Sequence, residues 1–218
     1  KPRISGRYPL EEAAKAGIRP IIVRQERTGV HMADALSRLT RGRRMGVFAM
    51  QHGPGTENAY GGIAQAYSES VPVLVLPQGY ARRLAYVPDN YNASLSMRDV
   101  TKHAEPVTDA SEVANIMRRA FTQLRNGRLR PVLVEMPWDV LDEETDAASQ
   151  YRPVPVTRCA PDSADIHKAA QMLVQAESPV IYAGQGELSK RVFRIANMGL
   201  LPQSALQGVI TALEESIQ

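Results

Sequence analysis

Met45-Gly46-Val47-Phe48-Ala49-Met50-Gln51-His52-Gly53-Pro54-Gly55-Thr56 is the stretch on which the fold turns. An uncharged, mostly apolar run enters a polar turn built on Gly-Pro-Gly. A short apolar run bounded by turn residues marks a strand buried on both faces, as in a parallel sheet. The same pattern flanks it. Pro20-Ile21-Ile22-Val23 leads into Gln25-Glu26-Arg27, and Val71-Pro72-Val73-Leu74-Val75-Leu76 leads into Pro77-Gln78-Gly79. In an open parallel α/β sheet, ligands bind beyond the carboxyl ends of the strands. Three polar signatures after three strands are therefore expected to share one edge.

Helical patterns alternate with these runs. Pro9 to Ala16 reads as a short helix closed by Gly17. Over 28–39, Val30, Ala33, Leu36 and Leu39 fall near one face, and Gly42 ends the helix. Thr56 is placed to cap a helix running to about Ser68, whose small residues Ala59, Gly61, Gly62, Ala64 and Ala66 permit close packing. The stretch 78–107 has little periodicity and reads as a long irregular loop, a length usually tied to function. Asp109 and Glu112 have capping-box spacing. Val113, Ile116, Met117, Ala120, Phe121 and Leu124 then trace the clearest amphipathic stripe in the chain. Pro131 to Met136 reads as a fourth strand. Strands alternating with helices predict right-handed crossovers and a mostly parallel sheet between helical layers, a three-layer α/β domain.

The acidic, proline-bearing stretch after Asp139 has linker composition. The expected organisation is a first domain over 1–140, a linker over 141–160 and a truncated second α/β unit over 161–218. In that unit, 164–176 reads as a helix and 179–184 as a strand.

Composition narrows the function classes. The chain has 218 residues, 44% apolar and 22% charged, enough to bury a core. Lys and Arg number 26 against 23 Asp and Glu, a net charge of only +3, and aromatics are 6%; neither favours a nucleic-acid partner. No apolar run approaches the roughly 20 residues that span a bilayer. Cys159 is the only cysteine, which excludes an internal disulfide and points to a reducing, cytoplasmic setting. His31, His52, His103 and His167 lack metal-ligand spacing, so no metal site is expected within the chain.

The chemistry-bearing residues fall in three blocks: Arg24-Gln25-Glu26-Arg27-Thr28-Gly29-Val30-His31-Met32-Ala33-Asp34, Gly53-Pro54-Gly55-Thr56-Glu57-Asn58 and Ser70-Val71-Pro72-Val73-Leu74. Together they resemble the pyrimidine-binding domain of thiamine-diphosphate enzymes of the acetolactate synthase type, over roughly residues 9–140. That family shows an acid followed by an HMADG-like helix, a GPG-x-x-N turn and SVPVL. Ala160 to Gly186 resembles the opening of its central domain. The resemblance implies that Glu26 hydrogen-bonds N1′ of the aminopyrimidine, with Val23, Val30 and Met32 as apolar walls that favour a held proton. The other reading of Glu26 is a helix-start carboxylate favoured by the helix dipole. Gly53, Pro54 and Gly55 would let the backbone approach the cofactor, with Asn58 beside it; the same residues also suit a simple tight turn. Gln51 and His52 are candidate substrate contacts, and Lys102 and His103 fall near the family's interface positions.

Departures from the family accompany the match. Gln25 stands where the family usually has His, and Ala35 where it has Gly. Gln78 lies one position from the family's glutamine. The family's further first strand is not matched in Lys1 to Tyr8, and its magnesium–diphosphate motif is absent, so the sequence reads as a fragment or a rearranged gene. Thiamine diphosphate would be held here by its pyrimidine half only. Mg²⁺ would come from another domain, through a homo-oligomer or a partner chain. The implied activity is decarboxylation or carboligation of a small 2-keto acid, weak or absent in the chain alone. The alternative is a non-catalytic dimerisation or interaction module. Around Arg191 to Gly199 the tail resembles the C-terminus of class V aminotransferases, which makes Arg194 a candidate carboxylate contact.

Overall fold

The computed structural model describes residues 8–157 and 160–177. The chain divides into two units, Lys1–Arg158 and Cys159–Gln218. In the first unit the elements run α1 (Tyr8–Lys15), α2 (Glu26–Leu39), β1 (Gly46–Met50), α3 (Pro54–Ser68), β2 (Val73–Gly79), α4 (Ala93–Ser96), β3 (His103–Pro106), α5 (Val113–Arg125) and β4 (Val132–Pro137). The four strands form one sheet in the order β1-β2-β4-β3, and every pairing is parallel.

Alternation along the strands makes the three layers. On β2 and β4, Val73, Val75 and Leu133 face Val30, Ala33, Ile63 and Ala66 of α2 and α3. Leu74, Val132 and Val134 face Ile116, Ala120 and Leu124 of α5 on the other side. Side chains of opposite parity on one strand thus feed two cores, which is why Val73–Leu76 of β2 and Val132–Val134 of β4 are unbroken apolar runs. The α5 stripe read from the sequence is the helix face that fills the second core. The small residues of α3 serve α2 as well as the sheet: a Cβ on Gly62 would lie 2.9 Å from Val30 Cγ1.

Several expectations need correction. Pro20 to Arg24 is not a strand: Ile21 and Ile22 are 59% and 75% exposed. A strand exists only with a ladder partner, and among the described residues β1 pairs only with β2, leaving Ile21–Val23 unpaired. Apolar continuity alone cannot separate a doubly buried strand from a run awaiting another surface. Thr56 is not the cap of α3. Gly53, at φ +57°, occupies that position, and Pro54 opens the helix with its φ preset and no N–H to satisfy. Thr56 Oγ1 instead donates to the Gln51 carbonyl at 3.1 Å. The 78–107 stretch is not all loop. Gln78 and Gly79 end β2, paired with Met136 and Pro137, and His103–Pro106 forms β3. Asp109 does cap, bonding Ser111 N at 2.8 Å, but it starts a 3₁₀ turn over Ala110–Glu112 that precedes α5.

Beyond β4 the chain stays on the first unit, where Val140 joins the α5-side core and Ala147 is buried. In the second unit, α6 (Ser163–Gln175) is capped by Asp162, which accepts from Ala164 N at 2.8 Å. The expected strand at 179–184, Arg194 and the tail helix lie outside the described residues.

The edge strand β3 carries a charge cluster. Arg119 of α5 donates through Nη2 to Glu105 Oε2 at 2.8 Å, and His103 Nε2 lies 2.9 Å from Oε1. Burial pushes the Glu105 carboxyl up, but the hydrogen bonds from Arg119 and His103 outweigh it, so it titrates below its ordinary range. A lowered folded-state value adds stability above the unfolded value of about 4.3 and loses it as pH falls through the folded value. Glu105→Gln is therefore expected to flatten the acid limb of a urea-midpoint profile below about pH 5. An unchanged limb would remove the pair from the acid response.

Candidate functional site

The carboxyl ends of β1 and β2 and the start of α2 converge on the turn at Gly53–Gly55. Glu26 is the first residue of α2, whose preceding Gln25 accepts from Thr28 N at 3.0 Å and so caps the helix. That placement puts a carboxylate at the positive end of the helix dipole. From α3, Asn58 Nδ2 donates to Glu26 Oε2 at 3.3 Å. Residues thirty-two positions apart in sequence thus meet. Gly55 is buried beside them, and a Cβ there would lie 3.6 Å from Glu26 Oε1 and 3.0 Å from Gln51 Cβ. The missing side chain leaves a bare strip of backbone facing the second carboxylate oxygen.

Gly53 faces the other way, where its Cβ would come within 3.8 Å of the Tyr80 hydroxyl. Tyr80 meets His52 edge-on, with ring centroids 4.6 Å apart. His52 Nδ1 lies 3.4 Å from Gln78 Oε1, the long end of the hydrogen-bond range. With the proton on Nδ1 this is a donation to the amide, and Nε2 is left as an acceptor. Gln51 is exposed, and its backbone carbonyl holds Thr56. Glu26, Gly55 and Asn58 thus form one group and His52, Gln78 and Tyr80 a second, with Gly53 and Pro54 in the turn between them.

The apolar walls expected around Glu26 are incomplete in the described residues. Val30 is fully buried in the core and Met32 is 44% exposed. The α2 face that seats on the sheet carries Gly29, Val30, Ala33 and Ser37, and helical periodicity turns Met32 away from it. Lys102 is likewise committed elsewhere. It closes the C-terminal end of α5, donating to the Gln123 and Asn126 carbonyls at 2.7 and 2.5 Å. His103 belongs to the Glu105 cluster on β3.

Two further groups line the same sheet edge. Arg82, just after β2, binds the loop after β3 and the stretch after β4 at once. Its Nε donates to Asp139 Oδ2 at 2.9 Å and its Nη1 to the Thr108 carbonyl at 2.9 Å, while its Nη2 pairs with Glu143. Burial pushes the Asp139 carboxyl up, and the Arg82 guanidinium with the Arg82 backbone N–H more than reverses this. Glu135 stands buried near the end of β4. An acid inside the apolar run Val132–Met136 was the one available signal for it, and sequence reasoning passed over it as strand.

The N-terminal TPP binding domain of thiamine pyrophosphate enzymes matches residues 5–109. Glyoxylate carboligase of Escherichia coli O157:H7 is 34% identical over 177 residues, covering 79% of this chain and 30% of that protein. Acetolactate synthase isozyme 3 large subunit of E. coli K12 is 33% identical over 188 residues, with 79% and 31% covered. The acetolactate synthase large subunit of Haemophilus influenzae is 30% identical over 206 residues, with 88% and 35% covered. The chain spans about a third of the length of these relatives.

Proposed function

From the membership of residues 5–109 in the thiamine pyrophosphate enzyme family, as its N-terminal TPP binding domain, we propose that this chain supplies the pyrimidine half of a thiamine-diphosphate site acting on 2-keto acids. One observation carries the reading: Asn58 holds one oxygen of Glu26 at 3.3 Å, and the other faces the backbone of Gly55. A carboxylate presented beside a backbone cleared of side chains fits a flat, nitrogen-bearing ring. When bound, the cofactor supplies the carbon–carbon chemistry, decarboxylation of a 2-keto acid or its joining to a second carbonyl compound.

The residues of the chain do the positioning. Glu26 would hydrogen-bond N1′ of the aminopyrimidine and hold a proton at that contact. Asn58 fixes the Glu26 rotamer. Gly53, Pro54 and Gly55 shape the approach, and Gln51 and His52 would meet the substrate. Met32 is 44% exposed, so the drier surroundings of that contact come from elsewhere. We place those surroundings on a second copy or a partner chain that also carries the diphosphate-binding domain and its Mg²⁺. Among the described residues no group of three or more His, Cys, Asp or Glu side chains converges to hold a metal. Among them, too, no helix is long and apolar enough to cross a membrane.

Calorimetric titration of the purified chain with thiamine diphosphate and Mg²⁺ tests the reading, alone and with a chain carrying a diphosphate-binding domain. Saturable binding that Glu26→Ala removes is the expected result. No binding in either arm would favour a non-catalytic interaction module instead.

A further inference from the structure

We propose that the cavity beyond the carboxyl ends of β2, β3 and β4 binds a small organic ammonium compound, with the Glu135 carboxylate as its charge partner. The cavity is about 150 Å³ and is lined by Tyr80, Tyr86, Asn92, Val107, Glu135 and Pro137 among others. A space of that size holds a ligand of about six heavy atoms.

Glu135 is the reason to expect a cation. Its residue is only 4% exposed, and acids are rarely that buried without a partner. Among the described residues its carboxylate receives one hydrogen bond, from the Ser94 backbone N–H to Oε2 at 2.9 Å, and no ion pair. The carboxylate lies over Gly79, where a Cβ would sit 2.9 Å from Oε1.

The one cation among the cavity's described lining residues is already engaged. Arg82 also lines the cavity, but its guanidinium is bound to Asp139, the Thr108 carbonyl and Glu143. One positive charge thus stands against three carboxylates, those of Glu135, Asp139 and Glu143. The local field favours a cation. Tyr80 and Tyr86 add aromatic rings to the lining, a side-chain type that attracts ammonium groups, and Val107 and Pro137 offer apolar contact for a short carbon body. Asn92, whose Oδ1 caps α4 at Leu95 N (2.9 Å), holds the wall in place. This site does not depend on the cofactor reading, and its test contains no cofactor.

The test is a titration of the full chain by ¹H–¹⁵N NMR with n-butylammonium, n-butanol and butyrate. Saturable shifts at the Ser94 and Gly79 amides are expected with butylammonium, with butanol about tenfold weaker and butyrate silent. Glu135→Gln keeps an amide oxygen for Ser94 N–H and should weaken butylammonium about tenfold or more. Tyr86→Leu changes a side chain on the rim, 75% exposed, and should weaken it severalfold with the fold intact. If Glu135→Gln does not fold, the probe series and Tyr86→Leu decide the matter. Equal shifts from all three probes, unchanged affinity in the folded variants, or no saturation by about 100 mM butylammonium would overturn the site.

Discussion

Gly46→Ala is expected to destabilise the first unit by about 3 kcal/mol or more, and to disturb the site as it does so. A Cβ at Gly46 would lie 2.0 Å from the Ala33 carbonyl oxygen and 2.4 Å from its carbon. Both atoms are backbone of α2, so no rotamer change relieves the overlap and the helix must lift from β1. The buried bridge from Ser37 Oγ, which accepts from Gly46 N at 2.8 Å and donates to the Pro72 carbonyl at 2.6 Å, would be lost with it. Since α2 begins at Glu26, a displaced helix also moves the acid away from Asn58. Gly61→Ala is the control. There the nearest atom to a Cβ is Arg27 Nε at 3.9 Å, and alanine in a helix should gain up to about 1 kcal/mol. Urea-midpoint measurements on both variants check the pair. A Gly46→Ala protein as stable as its parent would mean that α2 does not seat on β1 through this contact.

Glu26→Gln and Glu26→Ala are expected to weaken thiamine diphosphate by roughly ten- to a hundredfold, the value of a charge-assisted hydrogen bond of about 1.5–3 kcal/mol. In an assembled system that turns over a 2-keto acid, the loss in kcat should be larger, about 10²- to 10⁴-fold. Asn58→Ala should cost less, because Asn58 acts by holding Glu26 and not by touching the ring nitrogen. The ordering is the informative part. Equal, small losses at both positions would make Glu26 a helix-start carboxylate with no cofactor contact.

The extended segment at Ile21–Val23 shows where sequence reading stopped. Its apolar composition is strand-like, but strand formation is a property of two chains of backbone, and the described sheet offers it no neighbour. The opposite case is β3, whose residues His103–Pro106 show no apolar run, because an edge strand holding a charge cluster needs none. Gln25 was legible only as a departure from a family pattern; in the fold it is the cap of α2. Glu135 was passed over because a single acid in an apolar run carries no sign of whether it points into a core, a cavity or water.

By itself the sequence determined the layered parallel architecture and the amphipathic stripe of α5. Those follow from apolar runs, helical periodicity and turn chemistry, which are local, whereas the roles of Glu26, Gly55 and Asn58 came from the family resemblance. Only the tertiary structure decided which strands find partners, which side chain caps each helix, and that Arg82 is spent on the stretches after β3 and β4 while Glu135 stands without a described cation. Each of those depends on what lies across space from a residue, and that is set by the packing of segments far apart in the chain.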